Sequence, residues 1–274
     1  MPDLANASLF HQALVWPIVN LLIAIYKGAV SLSIPGAFGW AIIGLTLIVR
    51  GALHPLTHKQ MESMQKMQAL KPQIDKLAKK YKNDKQKLQA AQMNLYKEQG
   101  INPAAGCLPL LIQMPIIFGL FEAFRGILLD DSLVHAVETI NQIVYIPLLK
   151  IQSLDISFFG IDLSLYPSKW QEHGIWLLLI PVITGALTWY QTKMMTDMQK
   201  AQKKDTLSEP PKKKKEGTED MASEMQKQMT MIMPVMIGIF SYNFPLGIAL
   251  YWNTYTVFAI VTQKHFTKPH DAKS

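Results

Sequence analysis

The 274-residue chain is 49% hydrophobic and only 17% charged, yet carries a formal net charge of +7. Long uncharged runs and clustered lysines produce that combination, which excludes an ordinary soluble globular domain, where apolar and charged residues are mixed more evenly. The lone Cys107 excludes an intramolecular disulfide framework; the string AAGC around it looks like a lipoprotein cleavage box, but its hydrophobic stretch follows rather than precedes it, so lipidation there is rejected.

In chain order, the segment 1–36 comes first. Its apolar part, 9–26 (LFHQALVWPIVNLLIAIY), is nearly long enough to span a bilayer but is interrupted by His11, Gln12, Pro17 and Asn20. No positive charge precedes it, so the expectation is a helix lying in the membrane interface. The stretch 28–58 contains one formal charge, Arg50, and 37–56 is expected to be the first span. An arginine inside a span costs about 2.5–3.5 kcal/mol on insertion scales, so it faces either a protein interior or a wet cavity. The other reading of its position is an arginine near a helix end that snorkels to the headgroups.

The segment 57–99 carries Lys59, Lys66, Lys71, Lys76, Lys79, Lys80, Lys82, Lys85, Lys87 and Lys97. Within it Met61, Met64, Met67, Leu70, Ile74, Leu77 and Tyr81 recur at helical spacing. Pro72 is expected to open a second helix, Asn83-Asp84 to cap a third over 85–98, and Gly100 to close it. A cytoplasmic helical hairpin results. A second span is expected over 100–125, an outer loop over 126–173 and a third span over 174–192. The connection 193–227 contains SEPPKKKKEGTED, which reads as a disordered linker. The uncharged run 228–263 is too long for one crossing. Tyr242-Asn243-Phe244-Pro245 divides it into spans 228–242 and 246–264, before a tail 265–274.

Lysine-rich connections alternate with the acidic outer loop, which holds Asp130, Asp131, Glu138, Asp155, Asp162 and Glu172 against Lys150 and Lys169. The positive-inside rule then puts the N-terminus outside and the C-terminus in the cytoplasm. No internal repeat is evident. Motifs for metalloprotease, serine hydrolase or phosphate binding are absent. His54 and His58 are four apart, but Pro55 lies between them and no acid or cysteine is near, so they read as interfacial residues rather than metal ligands. No cofactor or metal is expected, and no enzyme activity. Asp130 and Asp131 read as a solvated loop. Polarity inside the spans is more informative: Thr46 and Arg50 share a helix face, Gln113 and Ile117 share another, and Asn253 and Thr254 lie in the fifth span. Met229, Met231, Met233 and Met236, with Phe240 and Phe244 behind them, offer a pliable apolar surface.

The strings LYKEQGINPAAGCLPLLIQMPIIFGLFEAF, LTLIVRGALHPLTHKQMESMQKMQALKPQIDKLAKKY, FFGIDLS and FPLGIALYWNTYTVFAIVTQ together closely resemble the YidC-type membrane protein insertases, whose relatives include the Oxa and Alb branches. The resemblance covers most of residues 10–265 in order. It implies an all-α integral membrane protein with five core helices around a hydrophilic groove, open to cytoplasm and lipid and closed toward the outside. It makes 9–26 the family's interfacial helix and puts Arg50 at the groove. By the same matching Thr46, Ile117, Phe240, Tyr251 and Trp252 fall on the substrate-contact surface, and Gln113, on the helix face of Ile117, is expected in the groove with them; Ile117 stands where the family often has an aromatic.

The chain departs from some relatives. It carries no large extracytoplasmic domain, no lipobox cysteine near its start and only a short tail, KHFTKPHDAKS, in place of a long basic one. The expectation is a compact bacterial protein of the cytoplasmic membrane that inserts nascent membrane proteins as a monomer. Lipid is a direct partner, and the Sec translocon and ribosome are candidate partners. Two other classes stay open on the residues: a transporter or channel with Arg50 as an anion site, and an assembly factor acting only with the Sec translocon.

Overall fold

The computed structural model describes residues 8–82, 84–101, 108–128, 132–205 and 219–267. Cys107, Asp130, Asp131, the lysine run within 206–218 and the tail from 268 lie outside the described residues, as do the side chains of Met61, Met64, Gln113 and Met229. The chain is mostly helical. One wide turn, His11–Val15, leads into α1 (Trp16–Ser31), followed by α2 (Ala37–Ala69), α3 (Lys71–Lys80), α4 (Lys85–Glu98) and α5 (Leu108–Leu128). Then come α6 (Leu133–Ile143), a two-stranded ribbon of β1 (Ser157–Phe158) and β2 (Ile161–Asp162), α7 (Trp170–His173), α8 (Leu179–Asp205), α9 (Glu219–Asn243) and α10 (Leu246–Thr267). Among the described residues His11–Ser31, Ala37–Lys59 and Ile175–Asp197 are long and apolar enough to cross a membrane, and Met231–Asn243 is a shorter apolar helix.

The core follows from helical spacing. Val15, Ile18, Val19, Leu22, Ile23 and Tyr26 are buried on one face of the first helix. They meet Phe38, Ala41, Ile42 and Leu45 of α2 and Leu120, Ala123, Phe124 and Ile127 of α5 in one cluster. α2 packs against α1 and α10, α10 against α8, and α8 along α9. In the last contact glycine faces glycine, with room to spare for a methyl group: a Cβ on Gly185 would sit 3.9 Å from Cα of Gly238, an ordinary contact. Without side chains between them, two helices approach closely and gain dispersion contact that lipid cannot supply.

α2 continues past residue 56 into the basic hairpin with Pro55 inside it. Proline deletes one backbone donor, and a helix with packed neighbours tolerates that loss. Pro72 sits in the first turn of α3. The Asp84 carboxylate accepts from the Lys87 amide at 3.0 Å and caps α4. Gly100, at φ +64, ends it in the left-handed region.

The segment 132–167 caps the opposite end of α2. Two asparagines clip it in place. Asn20 Nδ2 donates to the Ile143 carbonyl at 3.0 Å while its Oδ1 accepts from the Tyr145 amide at 2.7 Å. Asn141 does the same for both backbone groups of Ile151, at 2.8 and 2.9 Å. Further along α1, Tyr26 Oη accepts from the Asp155 amide at 3.1 Å and Lys27 Nζ donates to the Leu148 and Lys150 carbonyls. Phe159 and Gly160 take positive φ values of 50° and 81°, the turn that matches the twist of a two-residue hairpin. That turn presses Phe158 onto Gly36 and Gly39 at the start of α2. Backbone bonds of 2.9 Å from Leu246 to the Leu165 carbonyl and from Gly247 to the Leu163 carbonyl tie the start of α10 to the same cap. The start of α2, the cap and the α9–α10 turn therefore share one end of the bundle, while α3 and α4 extend from the far end of α2.

Candidate functional site

Arg50 lies one turn beyond Thr46 on α2 and is half-buried. Its guanidinium carbon stands 3.4 Å above the ring centroid of Tyr255 on α10. A cation over an aromatic face is attracted by the ring quadrupole. Nε of Arg50 is buried without a hydrogen-bond partner. No carboxylate of the described residues pairs with it.

Tyr255 belongs to an aromatic group on α10. Tyr251 and Trp252 lie 6.2 and 6.0 Å from its ring, and Tyr251 packs on Phe124 of α5 at 6.1 Å. Trp252 Nε1 donates to Thr188 Oγ1 on α8 at 3.4 Å. One turn earlier on α8, Thr184 Oγ1 is 3.3 Å from Ser241 Oγ on α9. A polar and aromatic seam thus runs from α2 through α10 and α8 to α9. Asn253 Oδ1 is a further buried oxygen without a partner.

Of the residues expected at the site, the structure brings Arg50, Tyr251 and Trp252 to this seam through Tyr255. Thr46 is 1% exposed and its hydroxyl donates to the Ile42 carbonyl at 2.7 Å; its donor is used within its own helix, a device that satisfies a hydroxyl in an apolar setting. Phe240 belongs to a second group. It is 53% exposed and stacks on Phe244 at 5.8 Å, and Phe244 meets Phe121 of α5 edge-on at 5.4 Å. Ile117, half-buried, lies one turn before Phe121. The Gln113 side chain lies outside the described residues.

Sequence reasoning passed over Tyr255, Thr184, Thr188 and Ser241. Thr184, Thr188, Thr192 and Thr196 recur every fourth residue, a spacing that puts all four hydroxyls on one face of α8 and could have signalled the seam. It also passed over a second polar cluster between the first helix and α5. Glu122 Oε1 is 3.1 Å from Arg125 Nη2 and 4.0 Å from His11 Nε2, while His11 Nδ1 is 2.7 Å from Ser8 Oγ. Among the described residues no three His, Cys, Asp or Glu side chains converge as a metal site would require.

A family model described as 60Kd inner membrane protein matches residues 30–273. A membrane protein insertase YidC of Clostridium perfringens is 34% identical over 248 residues, covering 88% of this chain and 86% of that protein. The chain belongs to the YidC family of membrane protein insertases. A YidC insertase of Fusobacterium nucleatum is 33% identical and matches 85% of this chain and 87% of its own length. Against the YidC insertase of Pseudoalteromonas atlantica, 32% identical, the match spans 85% of this chain but 33% of that longer protein. A solved structure described as an active YidC insertase with its first transmembrane domain resolved is 29% identical, with a TM-score of 0.47 over 87% of this chain and 45% of its own. The relatives that show this membership are named as membrane protein insertases, and YidC insertases are not enzymes.

Proposed function

We propose that this YidC-family chain inserts newly made membrane proteins by drawing an acidic segment toward Arg50 in a hydrophilic groove. The observation that carries the reading is a guanidinium within an apolar helix that lies on an aromatic ring and meets no carboxylate among the described residues. Such a charge keeps its full sign and attracts an anion. Two unit charges about 4 Å apart interact by roughly 4 kcal/mol at an effective dielectric near 20, before desolvation is subtracted.

In this reading the lysine-rich hairpin of α2, α3 and α4 faces the cytoplasm and receives the chain. The cap over 132–167 faces outside and shields that end. The apolar client segment passes into lipid along Met231, Met233, Met236 and Phe240 of α9, which are all exposed. α1 lies against the outer surface rather than across the bilayer; its bonds to the cap from Asn20 to Lys27 support this, because a crossing helix would meet such a loop at one end only. The protein works as a monomer with its N-terminus outside. The Sec translocon and the ribosome are partners that some clients require.

The test is insertion of a single-span client with an acidic outer tail into liposomes holding only this protein. Protease protection of the tail rises above that in empty liposomes, and Arg50→Ala reduces it several-fold while Arg50→Lys retains part. Protection equal to that in empty liposomes, from folded protein, would end the autonomous form of the proposal. Equal protection with Arg50→Ala and the native chain would end its electrostatic form.

A further inference from the structure

We infer that Tyr255 is the positioning residue that holds the Arg50 charge in place without neutralising it, and so sets the preference for acidic client segments. The inference rests on the groove reading above and assigns a part of it to a residue outside the expected contact set.

The geometry is specific. At 3.4 Å from carbon to ring centroid, the guanidinium is at van der Waals thickness from the ring. Only a guanidinium lying nearly flat fits at that distance. The ring then occupies one face of the planar group, and the N–H donors point outward in the plane, where none of them meets a carboxylate among the described residues. A carboxylate in the place of Tyr255 would take those donors and cancel the charge. An aliphatic side chain there would leave the guanidinium free to swing toward the headgroups, as long basic side chains do.

The ring itself is held. Tyr251, 6% exposed, and Trp252 flank it at 6.2 and 6.0 Å. Trp252 is fixed in turn by its hydrogen bond to Thr188 on α8. Tyr255 is thus the point at which a charge on α2 is referred to the packing of α8 and α10.

The experiment compares two clients that differ only in the outer tail, one acidic and one neutral, in liposomes with the native chain, Arg50→Ala, Tyr255→Leu and Tyr255→Phe. The readout is the ratio of protected acidic tail to protected neutral tail. Tyr255→Leu is expected to lower the ratio by about threefold or more, toward that of Arg50→Ala, and Tyr255→Phe to restore most of it, since the ring face that attracts the cation is kept. If Tyr255→Leu does not fold, Tyr255→Met takes its place, filling the volume without a ring. A native ratio in the ringless variant, with a lowered ratio in Arg50→Ala, overturns the role of Tyr255 and leaves the groove reading standing. Equal loss of both clients overturns it as well, because a merely structural residue would act that way. A native ratio in Arg50→Ala ends both.

Discussion

Trp252 and Thr188 join α10 to α8 through one hydrogen bond, indole Nε1 to Oγ1 at 3.4 Å. The same threonine donates to the Thr184 carbonyl at 2.8 Å, so its hydroxyl both accepts from a neighbouring helix and satisfies its own. Interhelical hydrogen bonds in membrane proteins contribute about 0.6 kcal/mol on average, with the largest near 1.7. Thr188→Val should therefore lower stability by about 0.5–1.5 kcal/mol, measured by unfolding in lipid nanodiscs. The indole emission of Trp252 should shift at the same time, since its N–H loses its partner.

Asn20 is 5% exposed and bonds two backbone groups of the cap. Asn20→Leu keeps much of the volume and leaves the Ile143 carbonyl and the Tyr145 amide unpaired. Each orphaned buried group costs about 1–3 kcal/mol. The expected outcome is faster protease cleavage between residues 144 and 150, with the bundle still folded.

Two glycines should differ in their tolerance of alanine. A Cβ on Gly39 would sit 2.1 Å from the Phe158 ring, whereas one on Gly185 would be 3.5 Å from its nearest neighbour, the Pro234 carbonyl. Gly39→Ala must expel Phe158 and loosen the ribbon from α2, at a cost of about 1–3 kcal/mol typical of overpacking. Gly185→Ala makes an ordinary contact and should leave the melting temperature nearly unchanged. Parallel thermal unfolding of the two variants checks the contrast.

The Asp84 carboxyl is held below the usual carboxylate range by the Lys87 amide and then by the Lys87 ammonium. Its folded value is the depressed one, so the cap is at full strength above the unfolded value near 3.9 and is lost as pH falls through the folded value. Hydrogen exchange in the first turn of α4 should match that of Asp84→Asn near neutrality. Below the folded value the native chain should exchange faster than the variant, because asparagine caps without titrating.

What the sequence disclosed follows from how loudly each residue speaks. The family, the helical character and the importance of apolar runs were legible because lipid demands long uncharged stretches. Arg50 was legible because a charge in such a stretch is expensive. Tyr255 was not, since a tyrosine in an aromatic-rich helix looks like ordinary packing until its partner on α2 is known. Thr184 and Thr188 were hidden because a helical threonine can satisfy itself against the carbonyl four residues back, and both do so. The role of Asn20 depends on groups 123 and 125 residues away, which no local pattern discloses. The chain also runs helical past residue 56, since nothing in the lysine- and methionine-rich stretch breaks a helix once Pro55 has been absorbed.

The backbone bonds to the cap carbonyls of Leu163 and Leu165 hold α10 at its first turn alone, as a ferrule grips the bristles of a brush. From Leu246 to Gln263, α10 extends about 25 Å at 1.5 Å per residue. A tilt of roughly 5° about the grip would therefore move the far end by about 2 Å. A lever of that length lets small rotations at a fixed rim become wide excursions at the basic end, with every bond of the rim intact.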